Sequence, residues 1–325
     1  MEKEYSKTAY IIKFFAIFSV ITAHVNIVNN DNIFSSLITN WYNLFGIVGV
    51  ICFFIVGGYY YKREKGDTKK YWKKKAKSII IPWMIAATIS YILHVIKIKD
   101  ISFIQYIKWI TGSGTIYYYL TIYVIFLIIF KFLKKNDVFL VICIILNIVE
   151  LILNTKGIFY TNDYITYYLN IFNWIGFFAI GILIRKYDIF SFLLKHKNTI
   201  MPISIFGSII LFIIMYNMKI WGYFHIISLL YEICGFIVIF YFSYYLRNCR
   251  ILNYIGEISF CIYLYHIQIV QNICWKLPTC IATEIINPII SVVIMVGIVY
   301  IGSKILGKIN KNSIIYSLLG IRKTT

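Results

Sequence analysis

The sequence contains little charge. Of its 325 residues, 14% are charged and 60% are hydrophobic, whereas soluble globular proteins contain roughly 25% charged residues. Apolar runs of about 20 residues, each long enough to cross the core of a bilayer, recur along the chain. Between these runs, no polar stretch of roughly 100 residues is left for a separate soluble domain. The sequence therefore predicts an all-α, polytopic membrane helix bundle that forms a single domain over residues 1–325.

Other absences narrow the possibilities. The seven cysteines form no CxxC pair and no Cys/His cluster, so the sequence predicts no metal site. Cys274 and Cys280 lie near the predicted outer surface, and whether they pair is left open. No A-x-A cleavage site follows the first apolar run, which we interpret as a retained span. No pair of Gly- or Pro-broken helices indicates the inverted repeat that is typical of secondary transporters.

Ten membrane spans account for the apolar runs. Charged and turn-forming residues separate them, as expected where a chain leaves the membrane. The predicted spans cover residues 10–28, 43–61, 79–96, 116–133, 138–153, 169–185, 199–217, 227–246, 258–275 and 287–306.

The net charge of +19 is explained by topology and not by nucleic-acid binding. With the N-terminus placed in the cytoplasm, the inner segments contain 26 of the 32 lysines and arginines and the outer segments contain six. Cytoplasmic loops of membrane proteins carry such an excess. The asymmetry predicts cytoplasmic N- and C-termini in a multi-pass protein of the plasma membrane. The Lys-, Ile- and Asn-rich composition is typical of an AT-rich genome, and we expect a bacterial source.

Two ionisable residues, Lys13 and His24, lie in the first span. Their spacing of eleven residues corresponds to about three helical turns, so both lie on nearly the same face, roughly 16 Å apart along the axis. Ionisable groups at membrane depth usually face a cavity or a partner. A cation at the inner end could hold a phosphate, and an imidazole further along could act as a base. Alternatively, Lys13 extends to the lipid headgroups and His24 is a hydrogen-bonded interhelical residue.

A basic segment follows the second span, in the sequence "FFIVGGYYYKREKGDTKKYWKKKAKSIIIPW" at residues 53–83. It contains nine cations between Lys62 and Lys77. We predict a basic loop that anchors the topology, and a second interpretation is that it binds a polyanion such as a nucleotide-bearing cofactor. Attraction to anionic lipid is an alternative that is compatible with this one.

The late segment "LNYIGEISFCIYLYHIQIV", residues 252–270, holds a second imidazole. Tyr263 and His266 are three residues apart and share a helix face. A structural role and a functional role are both open for this pair. "GTIYYYLTIY", residues 114–123, places three tyrosines at an outer interface, where an aromatic belt is the usual arrangement.

Together these segments resemble the acyltransferase 3 family of integral-membrane proteins. The opening signature of that family, Arg, ten residues and then His, is matched by "KFFAIFSVITAH". Its phenylalanine-rich Ser-Gly-aromatic pattern is matched by "FFIVGGYY", and its basic loop with a Pro-starting helix by "KKKAKSIIIPW". A Gly-x-x-x-x-Arg-like segment is matched by "GILIR" at 181–185. The late signature is matched by "GEISFCIYLYH" at 256–266.

The resemblance implies a membrane O-acyltransferase of about ten spans. Such proteins take an acyl group, typically acetyl, from cytoplasmic acetyl-CoA and transfer it to a surface or lipid-linked glycan. The acyl-CoA, the glycan and the lipid bilayer are then the expected partners. The resemblance implies roles for the following residues: His24 and His266 as catalytic groups; Lys13, Arg63, Lys73, Lys74 and Arg185 in cofactor binding; Tyr263, Ser259 and Tyr118 at the substrate or in support.

The sequence departs from the family pattern at three places. Lys13 replaces Arg, which keeps the charge but loses the planar fork that binds phosphate in two places. Gly57 replaces the usual Ser, and residues 117–119 are tyrosines where a Trp-Phe-Leu-like segment is common. The chain is also similar to the membrane domain of vancomycin-resistance serine racemases, which is associated with serine uptake. Transport of an amino acid or a lipid-linked glycan is therefore the alternative to acyl transfer.

Overall fold

The computed structural model describes residues 2–25, 33–61, 67–133, 136–158, 167–273 and 280–309. Over these residues it is helical and contains no strand, which confirms the predicted all-α membrane bundle. A π-helical turn spans Ala76–Ile80, and a 3₁₀ turn spans Ile171–Asn173. The helices are α1 Glu2–His24, α2 Ile33–Tyr59, α3 Thr68–Lys75, α4 Ile81–Ile98, α5 Phe103–Thr111, α6 Tyr118–Phe132, α7 Asp137–Thr155, α8 Ile175–Lys186, α9 Ile189–Lys195, α10 Lys197–Asn217, α11 Ile226–Tyr245, α12 Arg250–Glu257, α13 Ser259–Ile273 and α14 Ile281–Ile309.

Seven helical segments in the described part of the chain are long and apolar enough to cross a membrane. They comprise α1, α2, the continuous segment from α3 to α4, α7, α10, α11 and α14. The other three predicted spans fall on α6, α8 and α13, which have 15, 12 and 15 residues. These three are shorter than the roughly 20 residues of a full crossing. Each predicted span thus contains a helix, and three of these helices are shorter than that length within the described residues.

The basic segment after the second span is partly helical, so the prediction of a loop was wrong for residues 68–75. Asp67 caps α3, because its side chain accepts a hydrogen bond from the backbone N–H of Lys69 at 2.8 Å. The helix then continues through the π-helical turn into α4, where Pro82 lies in the first turn. Proline has no N–H and its ring crowds the carbonyl four residues earlier. The wider π-helical turn directly before Pro82 accommodates both effects.

Three motif glycines allow helix backbones to cross closely. A Cβ on Gly58 of α2 would lie 2.0 Å from the carbonyl oxygen of Phe178 in α8, and one on Gly181 would lie 2.0 Å from that of Ile55. A Cβ on Gly256 of α12 would lie 1.7 Å from the carbonyl oxygen of Tyr10 in α1. Carbon and oxygen atoms cannot approach so closely without moving the backbone. The glycines in all three motifs therefore fix α2 against α8 and α12 against α1.

The departure at Gly57 also has a packing explanation. A Cβ at this position would lie 2.7 Å from Cε2 of Tyr123 in α6. The tyrosine ring occupies the space that a serine side chain would need. Gly57 is therefore matched to Tyr123, and the two positions form one packing unit between α2 and α6.

Candidate active site

Two imidazoles meet inside the bundle. His24 is the last residue of α1, and His266 lies in the middle of α13. Their ring centroids are 5.3 Å apart, and His266 has no exposed surface. The fold thus brings together the histidines of the first and last motifs, whose proximity the sequence did not show.

The hydrogen bonding of His266 defines its tautomer. Its Nδ1 lies 2.8 Å from the backbone carbonyl oxygen of Tyr263, one turn earlier in α13. A carbonyl oxygen can only accept, so Nδ1 carries the proton and donates it. The other nitrogen, Nε2, is buried and has no hydrogen-bond partner among the described residues. His266 therefore presents an unshared lone pair inside the bundle, close to His24.

A small cavity lies beside His24. Its volume is about 30 Å³, and its walls come from α1, α2, α13, the start of α6 and the segment before α11. Three of the lining residues are tyrosines, Tyr118, Tyr223 and Tyr263. The Tyr263 hydroxyl donates a hydrogen bond to the carbonyl oxygen of Ile116, which also lines the cavity. An imidazole, three tyrosines and four aliphatic side chains thus line a small, partly open space.

Lys13 lies midway along the same helix and not at its inner end as predicted, because α1 begins at Glu2. Its Nζ lies 5.4 Å from the ring centroid of Tyr10 and 5.9 Å from that of Tyr60, which directly follows α2. Arg185, at the end of α8, donates a hydrogen bond of 3.4 Å to the carbonyl oxygen of Tyr59. Partial burial raises the pKa of the Tyr60 hydroxyl to about 12, and the nearby charge of Arg185 opposes that shift. The structure therefore places the two predicted cofactor cations, Lys13 and Arg185, around the same pair of tyrosines.

The other residues predicted to bind the cofactor do not lie beside Tyr59 and Tyr60 in the described part of the chain. Lys73 and Lys74 are exposed on α3, and Arg63 lies outside the described residues. The buried side of α3 contributes Tyr71, whose ring centroid is 4.8 Å from Nζ of Lys131 and 5.6 Å from Nζ of Lys75. Lys131 is buried, with 8% of its surface exposed. The described contacts thus connect α3 to α6 through Lys131.

Of the three residues predicted at the substrate or in support, two line the cavity and one does not. Tyr118 and Tyr263 line the cavity, whereas Ser259 is buried at the start of α13. Tyr118 is part of an aromatic cluster and not only of an interfacial belt, since its ring centroid lies 4.9 Å from that of Tyr168 and 5.8 Å from that of Trp174. Sequence reasoning missed Tyr223. This residue lies in a short connection without periodicity or a motif, so no local signal marked it.

A family model described as an acyltransferase domain matches residues 10–307. The chain therefore belongs to the acyltransferase 3 family, and it is a membrane acyltransferase by that membership. Searches among curated proteins and among solved structures found no match.

Proposed function

We propose that this protein transfers an acetyl group from acetyl-CoA, whose phosphates bind beside Lys13 of α1, to a hydroxyl of a cell-surface or lipid-linked glycan beside His24. The observation that carries this proposal is the arrangement of α1. This helix has a cation midway along its length and, roughly 16 Å further along its axis, a terminal imidazole that lines a cavity and lies beside a second, buried imidazole. Acetyl-CoA is elongated, with phosphates at one end and a thioester at the other. The cation can therefore hold the phosphates while the imidazole meets the thioester.

The surroundings of Lys13 suit the phosphates. Lys13 and Arg185 supply positive charge next to the Tyr59 and Tyr60 pair. Lysine binds phosphate as a point charge, and arginine adds a planar set of donors. The exposed lysines of α3 add to the positive potential at the same side of the membrane, and such a potential raises the local concentration of an anionic ligand.

The His24 end suits the reaction. A nitrogen of His24 removes the proton of the acceptor hydroxyl while its oxygen attacks the acetyl carbonyl carbon. A new carbon–oxygen bond forms, and the carbon–sulfur bond of the thioester breaks. The imidazolium then gives its proton to the departing thiolate, so the products are the acetylated acceptor and free CoA. The Nε2 lone pair of His266, 5.3 Å away between ring centroids, provides a second proton-accepting group in a water-poor site.

Replacing the base tests this proposal. Protein in nanodiscs is incubated with acetyl-CoA labelled in the acetyl group and with a pool of cell-envelope glycans. Released CoA and labelled glycan are then measured. We expect His24→Ala to reduce transfer by about 10²–10⁴-fold, which is the usual contribution of a positioned general base.

The matched control is His196→Ala. His196 is exposed between α9 and α10, and its ring packs on Phe192. This variant should transfer acetyl at the wild-type rate. A folded His24→Ala protein with full activity would disprove the assignment of His24 as the base.

A further inference from the structure

The cavity beside His24 is too narrow for a sugar ring. Pockets that enclose whole small molecules usually measure about 300–1,000 Å³. This cavity measures about 30 Å³. A single water needs roughly 10–15 Å³ measured in this way, so the space admits about two water-sized groups. A –CH₂OH arm consists of two such groups. In a secondary alcohol, the carbon that bears the hydroxyl has a second carbon substituent, which needs additional space.

The aromatic walls of the cavity are well supported. Trp174 has no exposed surface, and its ring centroid lies 5.1 Å from that of Tyr223 and 5.8 Å from that of Tyr118. The indole N–H of Trp174 donates a hydrogen bond of 3.1 Å to the carbonyl oxygen of Tyr168. Interiors packed in this way do not deform continuously when one group is enlarged. The two tyrosines therefore limit the width of the cavity.

The connection that carries Tyr223 is fixed at both ends. Lys219 and Gly222 have positive φ angles of 54° and 113°. The Ser228 hydroxyl donates a hydrogen bond of 2.8 Å to the carbonyl oxygen of Gly222, and the N–H of Ile226 donates one of 2.9 Å to the Thr155 hydroxyl. These contacts hold the backbone on either side of Tyr223, so its ring is presented to the cavity in a defined position.

We infer that Tyr223, with Tyr118, acts as a size filter that admits a primary hydroxyl to His24 and excludes secondary hydroxyls. This inference rests on the proposed acyl transfer and specifies its acceptor as a hydroxyl on an unbranched carbon, such as an exocyclic –CH₂OH. The sugar ring stays outside the cavity, and the arm reaches His24 past the two tyrosines that line it. The acetyl carbonyl meets the hydroxyl at the open side of the cavity, because the cavity has no room for both groups.

Small alcohols test the filter without knowledge of the natural acceptor. Purified protein in nanodiscs is given labelled acetyl-CoA with 1-propanol or with 2-propanol, and each propyl acetate is quantified. The wild-type protein should favour 1-propanol by at least tenfold over the ratio for uncatalysed transfer. Tyr223→Ala, which widens the cavity, should lower that preference at least fivefold by increasing transfer to 2-propanol. Tyr223→Phe should keep the wild-type preference, since the ring remains.

A gain of activity towards 2-propanol cannot arise from misfolding. Trp221→Ala is the matched control, because Trp221 lies in the same connection but is 46% exposed and does not line the cavity. It should leave the preference unchanged. The inference is overturned if the wild-type protein uses both alcohols equally, if Tyr223→Ala does not change the preference, or if the wild-type protein acetylates glycans but neither alcohol. If the wild-type protein shows no His24-dependent transfer to the alcohols or to glycans, the proposed function itself is contradicted.

Discussion

At the scale of single residues, the paired placement of Lys13 and His24 follows directly from the sequence. Helical periodicity is local, and eleven residues correspond to about three turns whatever the rest of the fold does. The proximity of His24 to His266 depends on how α1 and α13 pack, so spacing along the chain gave no information about it. The burial of Lys131 depends in the same way on tertiary packing, because its contact with Tyr71 joins two distant parts of the chain.

Lys13 takes the place of the arginine in the family motif, and its proposed role leads to a prediction. Lys13→Met should raise the KM for acetyl-CoA by about 10- to 100-fold, since a charge-assisted hydrogen bond contributes about 1.5–3 kcal/mol. Lys13→Arg should leave this KM unchanged or lower it, because the guanidinium binds phosphate in two places. Steady-state kinetics at varied donor concentration measure both effects.

Lys7→Met is the control for these variants. Lys7 lies on the same helix, but its side chain is exposed. Its removal should change the KM for the donor much less than the removal of Lys13. Equal donor KM values for Lys13→Met and the wild-type protein would show that Lys13 does not bind the donor.

At the scale of helices, the sequence predicted the number of segments better than their lengths. Apolar runs marked every predicted span, but α6 and α8 are shorter than a full crossing requires. The lysine-rich segment was interpreted as a loop because of its charge. Lysine is, however, a good helix former, and Asp67 was the available signal for an N-cap.

The motif glycines give a prediction about packing. Gly58→Ala should lower the apparent Tm in detergent, because its Cβ would lie 2.0 Å from a backbone oxygen of α8. Overpacking of a core typically costs about 1–3 kcal/mol. Gly297→Ala is the control, since a Cβ at that helical position would meet no atom within 4 Å. If both variants melt at the wild-type temperature, the close crossing of α2 and α8 is not required for stability.

At the scale of the whole molecule, the distribution of charge predicts orientation. The His24 end of the bundle should face outward and the Lys13 end inward, because the basic segments lie at the Lys13 end. Composition and periodicity were sufficient to predict the helix bundle. They were not sufficient for the cavity, which five separate parts of the chain enclose.

Cys280 offers a test of this orientation. It is exposed just before α14, whereas Cys52, Cys143 and Cys261 are buried. In a Cys274→Ser background, a membrane-impermeant maleimide should label Cys280 in right-side-out vesicles, and Cys280→Ser should abolish that labelling. Labelling that occurs only in inverted vesicles would reverse the orientation.

The central claim is that the acyl group passes from a donor at the Lys13 end to an acceptor at the His24 end. Its most direct test uses proteoliposomes in which the His24 end faces outward, selected by labelling of Cys280. Labelled acetyl-CoA is enclosed inside, and membrane-impermeant cell-envelope glycans are supplied outside. We predict labelled glycan outside, with none in His24→Ala and none when the donor is outside with the acceptor. Equal product with the donor and the acceptor both outside would contradict transfer along α1.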